Sequence, residues 1–207
     1  MTRYANEALI DISLNSNWEE LIPVGEGRAY GLEFSLAQNM GNTDFELAYT
    51  LSWSDRQFDG LNNGERFRFR FDRRHVLNLS LVQQLGHSVD FSANWQFGSG
   101  APVTIPTGSR YYDYDPNTSQ ERLVLVYDGI NNDVLPAYHR LDLGFNFRTD
   151  YDWGKTRFTL GLYNAYNRQN TFYRDVIVDL NNPENRLNFE DITLLPILPT
   201  ISYSVDF

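Results

Sequence analysis

Apolar and polar residues alternate strictly along several stretches of the chain. One set begins at Phe45 and continues through Leu47, Tyr49 and Leu51 to Trp53, with polar or small residues between its members. Side chains of a strand point alternately to its two faces, whereas a helix repeats its apolar residues every three or four positions. The alternation therefore predicts strands with one apolar and one polar face. The clearest run over 45–53, 89–97, 140–148 and 194–207, and weaker ones over 8–14, 28–38, 74–85 and 156–167.

The connections between these eight predicted strands alternate strictly between short and long. The short ones are 39–42, 86–87 and 149–154, and the long ones are 15–27, 56–73, 99–136 and 168–194. An up-and-down barrel would place all short turns at one rim and all long loops at the other, as membrane barrels do. Several strands also reach the ~9–11 residues of a tilted membrane strand. The sequence thus predicts an all-β, antiparallel, up-and-down transmembrane β-barrel with its C-terminus at the short-turn, periplasmic rim.

Composition agrees with a membrane barrel and excludes other classes. The 207 residues include 13 Tyr, 14 Phe and 4 Trp, which aromatic girdles at two membrane interfaces would accommodate. A net charge of −10 opposes nucleic-acid binding, and the absence of cysteine excludes thiol chemistry and disulfides. The first seven residues lack the cationic start and apolar run of a signal peptide, so we expect a fragment of a larger protein.

Six stretches, in this order, resemble a known family: GRAYGLEFSL (27–36), FDRRHVLNLSL (71–81), GSGAPVT (98–104), LPAYHRLDLGFNF (135–147), GLYNAYNRQN (161–170) and LLPILPTISYSVDF (194–207). Together they resemble the C-terminal half of TonB-dependent outer-membrane receptors, especially the Bacteroidetes-type receptors with a carboxypeptidase-like regulatory domain. The resemblance implies a barrel of about 22 strands around an N-terminal plug. It also implies a bacterial outer-membrane location and energy from a TonB complex.

The same resemblance implies the partners and the cargo. The partners would be the lipid bilayer, the barrel-assembly machinery and, through a missing N-terminal part, the TonB complex. The cargo would be an iron–siderophore complex, vitamin B12, a glycan or a peptide. Because the sequence shows no plug, TonB box or early barrel strand, we expect residues 1–207 to be the C-terminal part of the barrel. No catalytic motif is present, so we expect neither an enzyme nor a cofactor.

Two groups of residues are candidates for contact with cargo. Arg66, Arg68 and Arg70 alternate with phenylalanines and could form a basic stripe for an anionic ligand, or face the lumen or lipopolysaccharide phosphate. The long loop 99–136 contains a tyrosine-rich segment that could grip a ligand, because Tyr presents a rigid amphipathic ring. The alternative is a solvated loop whose rings pack on one another. The tyrosines of this segment are Tyr111, Tyr112 and Tyr114.

The end of the chain carries a third candidate, and no metal site is expected. Tyr203, Val205 and Phe207 share the apolar face of the last strand, and the resemblance implies a signal for barrel assembly; the alternative is an ordinary apolar strand end. The segment 113–117 begins like a calcium loop but has Thr118 where the loop needs glycine. The three histidines lie in separate segments without ligand spacing: His75, His87 and His139.

Two alternatives remain open at this point. A complete eight-stranded outer-membrane barrel with a structural or adhesion role would pair its first strand with its last. A soluble ligand-binding barrel would place its apolar face inward. We expect instead an open, curved sheet in strand order, with 194–207 paired only to 156–167. The inward-facing positions are rich in small residues, which suits a lumen filled by a plug: Gly31, Ser35, Ala48, Ser52, Ser92, Gly144 and Gly161.

Overall fold

A computed structural model describes residues 23–112, 122–179, 181 and 187–207. Fourteen strands and one short 3-10 turn, Asn62–Gly64, make up its regular structure. Within these ranges no helix is long and apolar enough to cross a membrane. The strands are β1 (Gly25–Asn39), β2 (Thr43–Phe58), β3 (Phe67–Arg68), β4 (His75–Gln84), β5 (Val89–Gly98), β6 (Pro102–Val103), β7 (Gly108–Tyr112), β8 (Arg122–Val126), β9 (Asp133–Val134), β10 (Tyr138–Tyr151), β11 (Gly154–Tyr163), β12 (Thr171–Val178), β13 (Leu187–Thr193) and β14 (Leu198–Asp206).

The long strands form one antiparallel sheet in the order β1-β2-β4-β5-β10-β11-β14, with β3 added to the end of β2. Each long strand therefore pairs with the next long strand along the chain. This confirms the predicted all-β, antiparallel meander. The first predicted strand, 8–14, lies outside the described residues.

Strand length supports a membrane-spanning sheet. β1 has 15 residues, β2 has 16 and β10 has 14, whereas strands of soluble domains commonly have about 5–6. A tilted membrane strand needs about 9–11 residues, which every long strand of the sheet provides. The longest strands also extend beyond the bilayer.

The register gathers the apolar side chains on one face. Residues directly opposite each other in an antiparallel pair share a face. Leu79 lies opposite both Leu47 and Trp95, and Phe145 lies opposite Phe91. This confirms the predicted facing of the alternating sets and defines the apolar belt. Its members include Leu32, Phe34, Leu36, Phe45, Leu47, Leu51, Leu77, Leu79, Leu81, Val89, Phe91, Trp95, Phe97, Leu141, Leu143, Phe145, Phe147, Phe158, Leu160, Leu162, Ile201 and Tyr203.

The opposite face is polar. A concavity of about 240 Å³ on this face is lined by Ser35, Glu46, Asn78, Asn94 and Gln96, among others. No hydrophobic residue in the described ranges is buried. Within the described part of the chain, the apolar belt thus has no protein layer over it, while the opposite face of the sheet is polar. This arrangement is the reverse of a soluble ligand-binding barrel, whose interior is apolar.

Two positions on the polar face hold glycine because neighbouring side chains lie too close for a Cβ atom. Gly144 lies opposite both Ser92 and Gly161, and Gly161 lies opposite Thr200. A Cβ atom on Gly144 would lie 2.7 Å from the Ser92 hydroxyl oxygen, and one on Gly161 would collide with the Thr200 hydroxyl. The small inward residues therefore let polar side chains pack along the sheet rather than leaving empty space.

The sheet does not close within the described residues. β14 pairs only with β11, and β1 pairs only with β2. Among the described residues β11 is the one partner of the last strand, and the prediction that no other strand pairs with it stays a prediction. The ladder that a complete eight-stranded barrel would need between 8–14 and the last strand involves residues outside the described ranges.

Two predicted strand boundaries are wrong, for the same physical reason. The strand expected over 156–167 ends at Tyr163, because Asn164 and Asn167 adopt left-handed backbone conformations with φ of 52° and 53°. The last strand begins at Leu198 rather than at residue 194, after Leu195 with φ of 54°. A left-handed residue turns the backbone out of an extended ladder even where the alternation of residue types continues.

The connections divide between two rims, as the sequence predicts. Residues 40–42, 85–88 and 152–153 link neighbouring strands at the short-turn rim. The long connections lie at the opposite rim, which we call the loop rim. They contain regular structure that the sequence analysis did not predict. β6 pairs with β9, β7 with β8, and β12 with β13.

Candidate functional site

The long connections at the loop rim contact one another. We call their described residues, within 59–74, 99–112, 122–137, 164–179 and 187–197, the loop layer. Asn131 of the second connection donates from Nδ2 to the backbone oxygen of Arg68 in the first, at 2.6 Å. The backbone N–H of Ile130 donates to Asn62 Oδ1 at 3.3 Å. These bonds join segments about sixty residues apart, so the first two connections are held as one surface rather than as separate loops.

An arginine joins the second and third connections. Arg174 in β12 donates from Nε and Nη2 to both carboxylate oxygens of Asp191, at 2.7 and 3.1 Å. Its Nη1 donates to Asp133 in β9 at 2.5 Å. The hydrogen bonds from Arg174 lower the pKa of Asp191, so this carboxyl group is ionised at neutral pH. The bidentate pair with Asp191 lies within the β12–β13 hairpin and orients the guanidinium, whose bond to Asp133 joins the hairpin to β9.

A buried carboxylate shapes the first connection. Asp72 has a fully buried side chain and accepts hydrogen bonds from Arg68 Nε at 2.8 Å and Arg74 Nη2 at 3.1 Å. Its other oxygen accepts the backbone N–H of Ser54 in β2, at 2.9 Å. The Asp72 carboxylate thus accepts the Ser54 N–H in place of the backbone carbonyl that a continuous strand through β3 and β4 would have supplied. Burial raises the pKa of Asp72, but the hydrogen bonds from Arg68, Arg74 and Ser54 outweigh it and the pKa lies below its usual value.

Asp72→Ala is expected to lower the free energy of local opening at the end of β2 by about 2–3 kcal/mol, since a buried backbone donor and two arginines lose their acceptor. The amide-exchange rate of Ser54 in the intact receptor measures this loss. Asp72→Asn is the matched control, because its amide oxygen can still accept from Ser54. The stabilisation that the ionised Asp72 side chain gives to the native protein should be complete at neutral pH. It should decline as the pH falls below 3.8 and through the lowered pKa of Asp72. Unchanged exchange in the alanine variant would contradict this role.

The three arginines of the predicted stripe lie in different surroundings. Arg68 lies opposite Asp55 of β2, on the face of the apolar belt, and Arg66 contacts Gln57 on the same face. Arg70 follows the end of β3, is exposed, and lies over the Phe71 ring at 5.0 Å. Alternating arginines share one face only if the strand includes all of them, and β3 has only two residues. The three arginines therefore do not form one stripe.

The structure describes part of the tyrosine-rich segment. Tyr111 and Tyr112 belong to β7 and lie opposite Leu123 and Arg122 of β8. Tyr114 and the calcium-like segment 113–117 lie outside the described residues. In the described ranges there is no cluster of His, Cys, Asp and Glu residues that could hold a metal. Contact between these tyrosines and a ligand stays a prediction.

The C-terminal candidates lie at the short-turn rim. Tyr203 and Val205 lie opposite Phe158 and Thr156 of β11. The Phe207 ring lies 5.9 Å from the Trp153 ring, and Trp153 in turn stacks on Tyr151 at 5.1 Å. These rings form an aromatic cluster at the end of the apolar belt. A role of this strand in barrel assembly stays a prediction.

A polar cluster on the inner face was missed by the sequence analysis. Arg140 donates to the hydroxyls of Tyr138 at 2.9 Å and Tyr163 at 2.6 Å, and to Asp142 at 2.9 Å. Asp142 also accepts the backbone N–H of Asn164 at 2.9 Å. The cluster braces the loop ends of β10 and β11. Its only sequence signal is that these residues fall within two of the stretches carrying the resemblance, around 135–147 and 161–170.

Asn164 explains why one of those stretches contains asparagines. Its side chain is fully buried, accepts the backbone N–H of Arg168 and donates to the backbone oxygens of Arg168 and Leu195. Asn167 accepts the backbone N–H of Ile197. Both residues adopt the left-handed conformation that asparagine tolerates well. They join the end of β11 to the start of the last strand.

Aromatic rings mark both ends of the apolar belt. Toward the loop rim, Tyr30 stacks on Trp53 at 5.4 Å, and the Trp95 indole donates to the Tyr166 hydroxyl at 3.1 Å. Toward the short-turn rim lies the cluster around Trp153. Aromatic girdles at both interfaces, an apolar belt between them and a polar hollow face characterise the wall of an outer-membrane β-barrel.

The fold and the belt thus define the class of protein as a transmembrane β-barrel. The family model described as TonB dependent receptor-like, beta-barrel matches residues 4–167. The chain belongs to this family, whose members are receptors and transporters of the bacterial outer membrane. The match confirms the family that the six stretches resemble. A search of curated proteins gives no match.

Proposed function

We propose that this chain forms the C-terminal part of the barrel of an active-transport receptor, with a plug and further strands supplied by the rest of the protein. The receptor takes up a scarce solute at the cell surface, using energy transmitted by a TonB complex. The observation that carries the proposal is the match to the TonB-dependent receptor barrel family over residues 4–167, and the continuous apolar belt opposite a polar face supports the membrane position. Within the described residues β1 and β14 each pair on one side only, which supports the need for further strands.

The loop layer is the part of the chain best placed to contact cargo. Loops at the mouth of a barrel carry function, while the wall carries stability. The bonds of Asn131 and Arg174 hold the connections together, which reduces the entropy lost when a ligand binds. We propose Arg70 and the tyrosines of the β7–β8 segment as contact residues, whereas Arg66 donates to Gln57 and Arg68 to Asp72. Those tyrosines are Tyr111, Tyr112 and Tyr114.

Uptake assays with the intact receptor test the proposal. A strain lacking the receptor, and the same strain complemented with it, would be offered a ferric siderophore, vitamin B12, an oligosaccharide and an oligopeptide. We expect receptor-dependent uptake of one of these probes, and its loss when a protonophore collapses the energy source of the TonB complex. Receptor-dependent uptake that survives the protonophore would contradict active transport, and uptake of none of the probes would contradict the cargo classes.

Deleting residues 108–126 and joining the ends through two glycines should reduce uptake by roughly tenfold or more, because aromatic contact residues commonly dominate binding energy. The deletion leaves Asn131 and Asp133 in place, so the contacts between connections survive. A glycine–serine replacement of equal length separates loss of side chains from loss of loop length. Surface abundance, measured in parallel, should be unchanged. Normal uptake in both variants would show that this segment does not contribute to cargo binding.

A further inference from the structure

Two arginines lie directly opposite each other on the polar face of the sheet, near the short-turn rim. Arg148 of β10 pairs across the ladder with Arg157 of β11, and the adjacent pair, Phe147 and Phe158, belongs to the apolar belt. Both arginines therefore point to the opposite face, which lines the lumen of a membrane barrel. Because like charges directly across a ladder destabilise it, this pair needs a counter-charge.

The described residues supply one carboxylate for the two guanidinium groups. Arg148 forms an ion pair with Asp90 of β5. Arg157 is exposed, and its partner on β14 is Ser204, which carries no charge. Among the ion pairs of the described residues none includes Arg157. Its guanidinium is therefore accessible to a group in the lumen.

The nearest other acids belong to a different row of the ladder. Asp150 and Asp206 lie opposite Lys155 from its two sides, one inward-facing row closer to the short-turn rim. They reach Arg157 only along the diagonal, where cross-strand neighbours are about 7–8 Å apart. These acids are thus placed to neutralise Lys155 rather than Arg157.

The wall next to the arginine pair is low enough for a protein segment to approach. Two inward-facing rows further toward the loop rim, the positions across the sheet are Ser92, Gly144, Gly161 and Thr200. The Ser92 hydroxyl donates to the backbone oxygen of Gly144 at 3.4 Å, so it lies along the sheet. No long side chain projects from this row, and Arg157 borders a flat strip of wall.

The sign of the unpaired charge reverses at the other end of the sheet. Glu33 of β1 and Glu46 of β2 belong to the same polar face. Neither takes part in an ion pair within the described ranges. A carboxylate in the lumen would be repelled by these two residues and attracted by Arg157. The inner wall therefore distinguishes one side of the lumen from the other by charge.

We propose that Arg157, with Arg148 beside it, binds an acidic side chain of the plug and so determines which side of the plug faces the last strands. The plug carboxylate accepts N–H groups of Arg157 in a charge-assisted pair, which also neutralises the repulsion between the two arginines. The inference rests on the proposed function, because the plug is part of it. It is independent of the identity of the cargo.

Arg157→Lys in the intact receptor tests the contact chemically. The variant keeps the charge and adds a primary amine, which a water-soluble carbodiimide couples to a carboxylate in direct contact without adding a spacer. We expect a coupled peptide that joins position 157 to an Asp or Glu of the plug, identified by mass spectrometry after digestion. The unaltered receptor is the blank, since arginine does not couple.

Ser35→Lys is the matched control, because it places an amine on the inner wall of β1, among the acidic residues. We expect position 35 to couple only within residues 1–207. Coupling of position 157 to Asp90, Asp150 or Asp206 alone, or no coupling there while other lysines of the receptor react, would overturn the proposal. Equal coupling of positions 35 and 157 to the same plug residue would also overturn it.

Arg157→Glu reverses the charge and gives Arg148 an acid across the ladder, so the barrel should keep its heat-modifiable migration. We expect cleavage of the plug by a protease on the periplasmic side to become about tenfold faster, because a charged hydrogen bond is lost. Arg157→Lys should keep the cleavage rate of the unaltered receptor. Unchanged cleavage in Arg157→Glu would contradict the contact.

Energy-dependent uptake by the unaltered receptor is measured separately, so the two proposals can fail independently. Uptake without coupling at position 157 would overturn the plug contact and leave the transport function standing. Coupling without uptake would support the plug contact and contradict the transport function.

Discussion

Leu143→Arg is expected to lower the free energy of unfolding of the intact receptor in lipid by about 2–4 kcal/mol, since an arginine on the lipid face is most costly near the bilayer midplane. Leu143 lies near the middle of β10, between Ala93 of β5 and Leu162 of β11. All three residues share the apolar belt, so the new guanidinium would have no polar partner there. Reversible unfolding in lipid vesicles measures the change. Phe91→Arg should give a smaller loss, because Phe91 lies nearer the short-turn end of β5 and opposite Gln83.

Asn146→Arg is the matched control on the polar face of the same strand. Asn146 lies between Asp90 and Thr159, and its Oδ1 accepts from the Thr159 hydroxyl at 2.7 Å. Asp90 already pairs with Arg148, so an arginine at position 146 would have to share that carboxylate. It would still point to the polar face of the sheet rather than to lipid, and we therefore expect a clearly smaller loss of stability. Ser92→Arg is a poorer control, because Ser92 packs closely against Gly144 and a larger side chain would collide. Equal losses for Leu143→Arg and Asn146→Arg would contradict the assigned facing.

The membrane strands were predictable because lipid imposes a simple rule on them. One face must be apolar over the full width of the bilayer, so residues such as Leu141, Leu143 and Phe145 repeat with a period of two. No tertiary contact is needed to read this pattern. The strand ends were less predictable. The alternation says nothing about backbone conformation, and Asn164 ends β11 through its left-handed conformation and its buried amide.

The hairpins of the loop layer were not predictable from local pattern. Thr171–Val178 has apolar and polar residues without a clean alternation, because neither face of β12 meets lipid. Its position depends on Arg174, whose partner Asp133 is 41 residues away in the sequence. Ion pairs of this kind leave no periodic signal. Only coordinates could show that the third connection is joined to the second.

The arginine stripe shows how a correct pattern can give an incomplete site. The alternation of Arg66, Arg68 and Arg70 with phenylalanines indicates a strand, and β3 is present over Phe67–Arg68. The strand stops there, because the Asp72 carboxylate enters the plane of the ladder and takes the place of a backbone acceptor. Residue periodicity does not reveal that a side chain accepts a hydrogen bond in place of a backbone carbonyl. The sequence therefore predicted basic residues at the loop rim but not the directions that they take.

Expressed alone, residues 1–207 are expected to aggregate rather than fold in detergent. Within the described residues β14 pairs only with β11, and β1 pairs only with β2. Unpaired backbone N–H and C=O groups each cost several kcal/mol in hydrocarbon, where water cannot bind them. A strand of nine residues leaves enough such groups to prevent stable insertion.

Supplying the remaining strands should reverse this outcome. Co-refolding the chain with the complementary part of the receptor should give a heat-modifiable band on electrophoresis, because the free side of β14 then gains a partner and its backbone groups become paired. Amide exchange along Leu198–Asp206 measures that pairing directly, and the protection of alternate residues should appear only in the presence of the complement. Exchange is measured on the same residues with and without the complement, so any difference in protection comes from strand pairing and not from the sequence. A heat-modifiable folded band from the isolated chain, with protection on both sides of β14, would show that the chain closes on itself and would favour a complete eight-stranded barrel.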